Sequence, residues 1–381
     1  MNPALLWRVT LWVMLMSGLA TTQEPDSARL RRAVELQQSG HFDEAIADYQ
    51  AFLKVHPDAA GVRSNLGAAL AAEGHYAEAE EQYTQALKGL PDNYGIRLNL
   101  GLAYYKAGDI KQAVREFEMV YGALPETQPD SRRVALLLAE CYLRQGENDR
   151  VVTLLDPIAT AGPDDPALDY FLGTAFLHQG QTERGALLIE RLLQNGDTAE
   201  AHMLMAYTQY QAHNKPGAIK EVDQAIALNP NLSEAHSLRG RLAFLDSDLK
   251  GSEAEFSKAL ALDPNSFDAL LWLGTLLREE GRLRESQKEL GHAIELRPKD
   301  VRVRYQLARL YSDEGEDSRA ATLLEELVKD DPQYTEAHRT LATIYFRLGR
   351  PDDGRRERKV AEELNAAIQA KDEQRGRELT K

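Results

Sequence analysis

One cysteine, Cys141, stands in 381 residues, so no intramolecular disulfide can form and stability has to come from packing. Aromatic residues make up only 7% of the chain, against 43% hydrophobic and 28% charged residues. That Ala-, Glu-, Leu- and Arg-rich balance is ample for a core and favours helix over sheet. Gly-rich phosphate loops, a Gly-x-Ser-x-Gly elbow and Cys-x-x-Cys pairs are all missing, which removes the usual signatures of nucleotide binding, acyl transfer and thiol redox chemistry. Positive charge is in deficit, with 45 basic and 60 acidic residues giving a net −15. An acidic chain repels phosphate backbones, so nucleic acid is not an expected partner. The charges are spread along the whole chain, as a solvated helical surface requires.

Long hydrophobic runs are also absent, apart from one at the start. Arg8 is the only charge in Met1–Ala20, and Val9–Ala20 is an apolar run that ends in Gly18-Leu19-Ala20. The run is too short to span a bilayer, and small residues at Gly18 and Ala20 suit a signal-peptidase site. Residues 1–20 are therefore expected to be a signal peptide cleaved after Ala20, followed by a short linker over 21–25. An uncleaved anchor and a buried N-terminal helix are the alternatives. No cysteine lies beside the site, which disfavours a lipoprotein. Loss of the segment leaves 44 basic and 60 acidic residues, a net −16, and places the protein in the periplasm or outside the cell.

What the chain has in abundance is one repeated pattern. The stretch Ala60–Asn93 reads as two amphipathic helices joined at Gly74 and closed by Pro91. Leu66, Gly67 and Leu70 fall on one stripe of the first helix, and Ala79, Tyr83 and Ala86 on one stripe of the second, at i, i+3, i+4 spacing. Glycine at the inter-helix turn is the ruler. Gly40, Gly74 and Gly108 are 34 apart, as are Gly146 and Gly180, and then Gly281, Gly315 and Gly349. Closing prolines Pro57, Pro91, Pro125, Pro230, Pro264, Pro298 and Pro332 agree. Ten units over 26–368 result, starting near Asp26, Ala60, Tyr94, Arg132, Pro166, Ala199, Ser233, Phe267, Val301 and Thr335, with a charged tail over 369–381. At the helix-contact position they carry Ala33, Gly67, Gly101, Ala139, Gly173, Ala206, Gly240, Gly274, Ala308 and Ala342. All are Ala or Gly, which lets the two helix axes approach closely.

Departures cluster in the middle. Four extra residues, Gln128–Ser131, are expected to lengthen the loop between the third and fourth units, and the fifth has Asp197 in place of its closing proline. The sixth has His213-Asn214, and the seventh Ser247, where the turn glycine is expected. Either the pitch of the array changes locally there or the repeat simply tolerates drift. In the tenth unit Arg358 replaces the aromatic of Tyr49, Tyr83 and Phe117, leaving a thin stripe of Val360, Leu364 and Ile368. A polar outer face is what a terminal repeat needs.

The Leu-Gly-x-x-x spacing of the first helix, the Ala-x-x-x-Tyr of the second and the closing Pro resemble the tetratricopeptide repeat, over about Asp26 to Ile368. That resemblance implies an all-α, right-handed superhelical solenoid of helix–turn–helix repeats and a non-catalytic protein–protein interaction scaffold. In such arrays the first helices line a groove through positions 2, 5, 6, 9, 12 and 13 of each repeat. Carried onto this chain, Leu98, Leu102, Tyr105, Tyr170, Leu177, Met203, Tyr207, Tyr210, Phe244 and Trp272 fall on or near that face. They form either a strip for a peptide's apolar side chains or, turned inward, packing between helices. Asn65 and Asn99 occupy position 6 of consecutive units, where related arrays grip a peptide backbone. The carboxylate clamp of some relatives is absent, since Ser64 and Ala68, then Leu98 and Leu102, stand at its positions. Arg302, Arg309, Arg339 and Arg347 make the last two units locally basic; an anion docks there, or Asp313, Glu336 and their neighbours neutralise the charge.

Expected partners are thus a protein or peptide. The competing role is envelope assembly or glycan secretion through the same groove, and an enzyme is a remote third. No cofactor is expected. His202, His236 and His338 each follow Glu-Ala at the fourth position of their own repeats, too far apart in register to converge on one metal. His56-Pro57-Asp58 spells the J-domain co-chaperone tripeptide, but it occupies the repeat-closing turn equivalent to Leu90-Pro91-Asp92, so the match is accidental. Asn231-Leu232-Ser233 is a glycosylation sequon that has meaning only in a eukaryotic source. Cys141 lies inside a first helix beside the seam, where a buried inert thiol is expected.

Overall fold

The computed structural model describes residues 24–125, 129–161, 165–194 and 196–379. The expected signal peptide and the start of the linker lie outside them. Two compact units result, Met1–His213 and Asn214–Lys381. Every element among the described residues is an α-helix.

The first unit holds five helix pairs and one further helix. The pairs are α1 (Glu24–Gln38) with α2 (Phe42–Val55), α3 (Ala60–Ala72) with α4 (Tyr76–Gly89), α5 (Tyr94–Ala107) with α6 (Ile110–Ala123), α7 (Pro129–Gln145) with α8 (Asn148–Ala161), and α9 (Pro166–His178) with α10 (Thr182–Gln194); α11 (Ala199–Gln211) ends the unit. The second unit opens on α12 (Lys215–Leu228). Four pairs follow: α13 (Ser233–Leu245) with α14 (Leu249–Leu262), α15 (Phe267–Glu279) with α16 (Leu283–Leu296), α17 (Val301–Asp313) with α18 (Asp317–Asp330), and α19 (Thr335–Arg347) with α20 (Pro351–Leu379).

Turn chemistry explains why the helices stop where they do. Gly74 has φ +82, and behind it the His75 amide reaches back to the Leu70 carbonyl at 2.9 Å, the bond that closes a left-handed helix end. His213 (φ 56) and Ser247 (φ 61) adopt the same left-handed backbone without being glycine. Asn214 and Asp248, the residues after them, then cap the next helices by accepting from the amides of Gly217 and Gly251. Capping of this kind is worth about 1 kcal/mol. The boundary between the two compact units falls in the first of these glycine-less turns.

The inserted residues do not lengthen a loop. Pro129, Asp130 and Ser131 belong to α7, which reaches 17 residues where α9 has 13; Gln128 lies outside the described residues. Proline suits the first turn of a helix, where its missing N–H has no intrahelical partner to lose. At the other end the backbone of α20 stays helical to Leu379, past the stripe that closes with Ile368.

In the second and third pairs a glycine of the first helix meets a large ring of the second. Tyr83 and Phe117 are at most 2% exposed. A Cβ added to Gly67 would stand 2.9 Å from Tyr83, and one on Gly101 would stand 2.6 Å from Phe117. A second recurring device joins the first helix to the loop before it. Arg63 donates to the Pro57 carbonyl at 2.7 Å and to Gln82 at 3.1 Å; Arg97 donates to Pro91 and to Glu116, both at 3.1 Å. His236 and His338 do the same work in the second unit. Their Nε2 atoms lie 3.0 and 3.1 Å from the Pro230 and Pro332 carbonyls, and their Nδ1 atoms 2.6 Å from Glu255 and Glu357. The Glu-Ala-His triplets are therefore structural clips between a loop, a first helix and a second helix. His202 departs from the scheme and meets Asp197 at 2.7 Å, the residue standing where the closing proline is missing.

Successive repeats are tied by arginines that lie over an aromatic ring. Arg184 sits 3.8 Å from the Phe176 centroid and pairs with Asp156 of the preceding repeat at 2.9 Å. Arg350 lies 4.2 Å from the Tyr345 centroid and 3.2 Å from Glu325, while the Tyr345 hydroxyl donates to the same carboxylate at 2.7 Å.

Candidate binding faces on the first helices

In the first unit, packing consumes much of the expected strip. Met203 and Leu177 have no exposed surface, and Tyr105 and Tyr170 keep only 7% and 9%. The reason is that first helices pack on one another as well as on their own partners. Helix α9 touches both α7 and α11 and is buried without a break from Leu168 to Leu177. Met203 and Leu177 are thus core residues, not ligand contacts. Tyr105 donates its hydroxyl to Glu140, and the Arg144 guanidinium lies 5.0 Å from its ring. Burial pushes its phenol well above the usual range, and the neighbouring Glu140 carboxylate adds to that.

Asn65 does not line a surface ladder. It is 8% exposed and its side chain bonds to the Tyr49 hydroxyl, which itself donates to Gln37 at 2.6 Å. Asn99, Leu98, Leu102, Tyr207 and Tyr210 remain half-buried. The Tyr207 ring meets His178 edge-on at 5.4 Å. On this unit the open part of the face is therefore short.

The second unit keeps a fuller face. Phe244 and Trp272, both half-buried, lie 6.0 Å apart at 51°, with the Arg241 guanidinium 4.5 Å from the Trp272 centroid. Next along the first helices, Tyr305 bonds through its hydroxyl to Thr340 at 3.1 Å and meets Tyr334 edge-on at 5.3 Å. Neither Tyr305 nor Thr340 was marked by composition. Their positions 5 and 6 in the repeat are the signal that points to them.

The four arginines, together with Arg278, divide into two kinds. Arg302 lies 3.1 Å from Asp268 and 2.9 Å from Asp300. Burial opposes its charge, but those two carboxylates prevail and hold the guanidinium more firmly protonated than usual. Arg347 pairs with Asp317 at 3.0 Å. Arg278, buried to 6% exposure, takes Asp313 at 2.8 Å. Arg309 by contrast has only the Tyr305 ring, 5.9 Å away, and Arg339 is exposed. Among the described residues no carboxylate comes within 4.0 Å of either.

Comparison with known proteins agrees with this architecture. Profiles of the tetratricopeptide repeat family match residues 30–94 and 203–267, 70–123, 120–173, 243–310 and 277–333, and 335–357. The chain belongs to the tetratricopeptide repeat family. Among solved structures it is similar to a tetratricopeptide repeat protein from Parabacteroides merdae, at 15% identity and a TM-score of 0.58, over 67% of this chain and 100% of that one. It is also similar to the anaphase-promoting complex hetero-tetramer Cut9-Hcn1, at 11% identity and a TM-score of 0.55, over 90% of this chain and 88% of that one. Identities this low speak for the fold alone. No curated protein matches the chain.

Family membership makes the chain a protein–protein interaction scaffold of the kind that is generally non-catalytic. Among the described residues no helix is long and apolar enough to cross a membrane, and no group of three or more His, Cys, Asp or Glu side chains is placed to hold a metal ion.

Proposed function

We propose that the protein is an exported, non-catalytic scaffold that holds a protein partner against the first-helix faces of its repeats. The observation that carries the reading is the half-buried set Phe244, Trp272 and Tyr305 on consecutive first helices of the second unit. Large aromatics left partly open on rigid helices are the usual anchors of protein recognition, because they bury much area at little conformational cost. Tyr207, Tyr210 and Leu102 offer a smaller equivalent on the first unit. Export rests on Met1–Ala20.

Crosslinking and recovery of bound proteins from native envelope or secreted material tests the scaffold. Trp272→Ala and Tyr207→Ala should each reduce recovery. Sugar binding on a glycan array that disappears in the same variants would replace this reading with a glycan-handling one, and turnover by protein freed of all companions would replace it with an enzyme. N-terminal sequencing of the mature protein should begin near Thr21; an intact Met1 would refute cleavage.

A further inference from the structure

We infer that His236 and His338 act as imidazolium clips, so that the seventh and tenth repeats are each fastened by a proton and loosen as the pH rises.

In each clip both ring nitrogens face acceptors. Nδ1 of His236 lies 2.6 Å from Glu255 and Nε2 lies 3.0 Å from the Pro230 carbonyl. For His338 the distances are 2.6 Å to Glu357 and 3.1 Å to the Pro332 carbonyl. A carbonyl oxygen and an ionised carboxylate can only accept. A neutral imidazole has one N–H and serves one of them, whereas the imidazolium has two and serves both. Both histidines are only 6% exposed, which leaves little room for water to replace a missing donor.

Register leads to the same state. Arg63 and Arg97 occupy the same fourth position of their repeats. Each donates to a proline carbonyl six residues back and to a side chain 19 residues on. His236 and His338 keep both separations. The position is therefore built for a cation with two donors. Arginine holds its charge there at any ordinary pH, and histidine is the side chain whose charge changes between pH 5 and 8.

The surroundings single out the carboxylate. His236 lines a cleft shared with Arg239 on α13, Asp223 on α12, Asp248 before α14, and Glu255 and Lys258 on α14. Arg239 is taken by Asp223 at 2.8 Å, and Asp248 caps α14. Helix α15 meets α13 through the Ser266 and Ser237 hydroxyls, 3.2 Å apart. Glu255 is left to face the ring, and it also takes Lys258 at 2.7 Å. Burial works to raise its carboxyl, but the bonds from His236 and Lys258 prevail and hold it low, which leaves the proton on the histidine. Around His338, α20 supplies Glu357. On α18, Glu325 is engaged by Tyr345 and Arg350, and Glu326 and Asp330 by Arg304. Helix α17 reaches α19 through Tyr305 and Thr340. Val360 stands at the place of Lys258, so no lysine competes for Glu357 from there.

Above about pH 6.5 the unfolded chain gives up a histidine proton that the clip retains. The clip's contribution is therefore complete below that pH, and it is lost as the pH rises until the native ring releases its proton too. Helix α13 also carries Phe244, so the loosening acts on a helix of the aromatic face. The clips titrate with or without a partner, and the inference stands apart from the scaffold reading.

The test uses the full chain labelled with 15N-histidine. At about pH 7.5 a free histidine is roughly 90% neutral, yet two rings should show both nitrogens protonated. Those two signals should vanish in the His236→Arg, His338→Arg protein. Urea unfolding followed by Trp272 fluorescence adds a thermodynamic measure. Between about pH 6.5 and 8.5 the unfolding constant of the second unit should rise by up to about tenfold per pH unit for each clip. The double Arg variant restores the residue of the second and third repeats, so it should fold and lose that rise. His236→Gln, which keeps one donor, should remove one of the two signals and its share of the slope. His292, the third histidine of the second unit, is common to all these proteins and sets the background. Rings that are neutral at about pH 7.5, or an equal pH slope in wild type and the double Arg variant, would overturn the inference.

Discussion

Gly240→Ala and Phe256→Leu make a pair of substitutions whose outcome the packing dictates. A Cβ on Gly240 would stand 2.7 Å from both Cδ1 and Cε1 of Phe256 and 3.2 Å from Cγ. Carbon atoms prefer 3.5–4.0 Å, so the overlap is about 1 Å on two ring atoms. Phe256 has no exposed surface, so the ring has nowhere to swing. Overpacking of this kind costs about 1–3 kcal/mol, against a gain of about 1 kcal/mol from replacing helical glycine by alanine. The net expectation is a loss of about 1 kcal/mol. Gly291 on α16 is the internal reference, because a Cβ there meets nothing within 4 Å; Gly291→Ala should stabilise by about 1 kcal/mol. Phe256→Leu alone leaves a gap and should also destabilise. Combined with Gly240→Ala it recreates combinations the chain already uses, Ala139 with Leu155 and Ala308 with Leu324, all four with no exposed surface. The double variant should therefore lose less than the two single losses together, with a coupling of about 1–2 kcal/mol. Urea unfolding followed by Trp272, the one tryptophan within residues 24–379, reads this locally. Strict additivity, or a Gly240→Ala variant as stable as Gly291→Ala, would refute the argument.

Three further outcomes are expected. Ser247 adopts φ 61 in a turn where glycine is at ease, so Ser247→Gly should raise the urea midpoint of the second unit, the relieved strain of about 1–2 kcal/mol exceeding the entropy that glycine adds to the unfolded chain; a lowered midpoint would contradict this. Cys141 has no exposed surface, and burial pushes its thiol up, so a disulfide reagent should label it only as fast as the first unit opens, and immediate labelling of native protein would be inconsistent. Burial works to raise the Glu255 carboxyl, but the hydrogen bonds from His236 and Lys258 prevail and hold it below the usual carboxylate range. Its contribution is therefore present above its unfolded value, roughly pH 4.3, and lost as the pH falls through the lower folded value. Glu255→Gln should flatten that part of the acid limb in urea midpoints, and an unchanged limb would show that the carboxylate contributes nothing.

The repeat frame was legible because it rests on constraints that recur in register. A turn needs φ above zero at one position, and a close helix contact needs a small side chain at another. Those requirements act locally, and one sequence suffices to see them. Burial on the first-helix face does not act locally. Met203 and Tyr305 share position 5 of their repeats, yet one is fully buried and the other partly open, because the answer depends on the helices to either side. Asn65 and Asn99 share a position, yet Asn65 is taken up by Tyr49, a side chain of the preceding repeat. The pairing of Arg302 with Asp268 was within reach, since both stand at position 2 of consecutive repeats, 34 residues apart. The reading of Gln128–Ser131 as loop failed for a different reason. An insertion ahead of a helix that begins with proline extends the helix backwards, and length alone does not say which side absorbs it.

Helix α17 shows how a first helix can vary its binding face without disturbing its fold. Val303, Leu307, Ala308 and Leu310 are buried, and Arg304, 6% exposed, reaches Asp330 at 2.7 Å on the second helix of its own pair. These residues hold α17 in place. Tyr305, Gln306 and Arg309 lie on a different stripe of the same helix. In a repeat array stability is close to a sum of contacts within and between neighbouring repeats, so the two stripes make nearly independent demands. Replacing Arg309 removes no ion pair and no packed core side chain, whereas replacing Arg304 removes a buried side chain and its ion pair with Asp330. A loss of partner recovery in an Arg309→Ala variant at an unchanged melting temperature is thus the signature of a recognition surface. The reverse pattern, lower stability with recovery intact, would place Arg309 among the residues that hold the helices together.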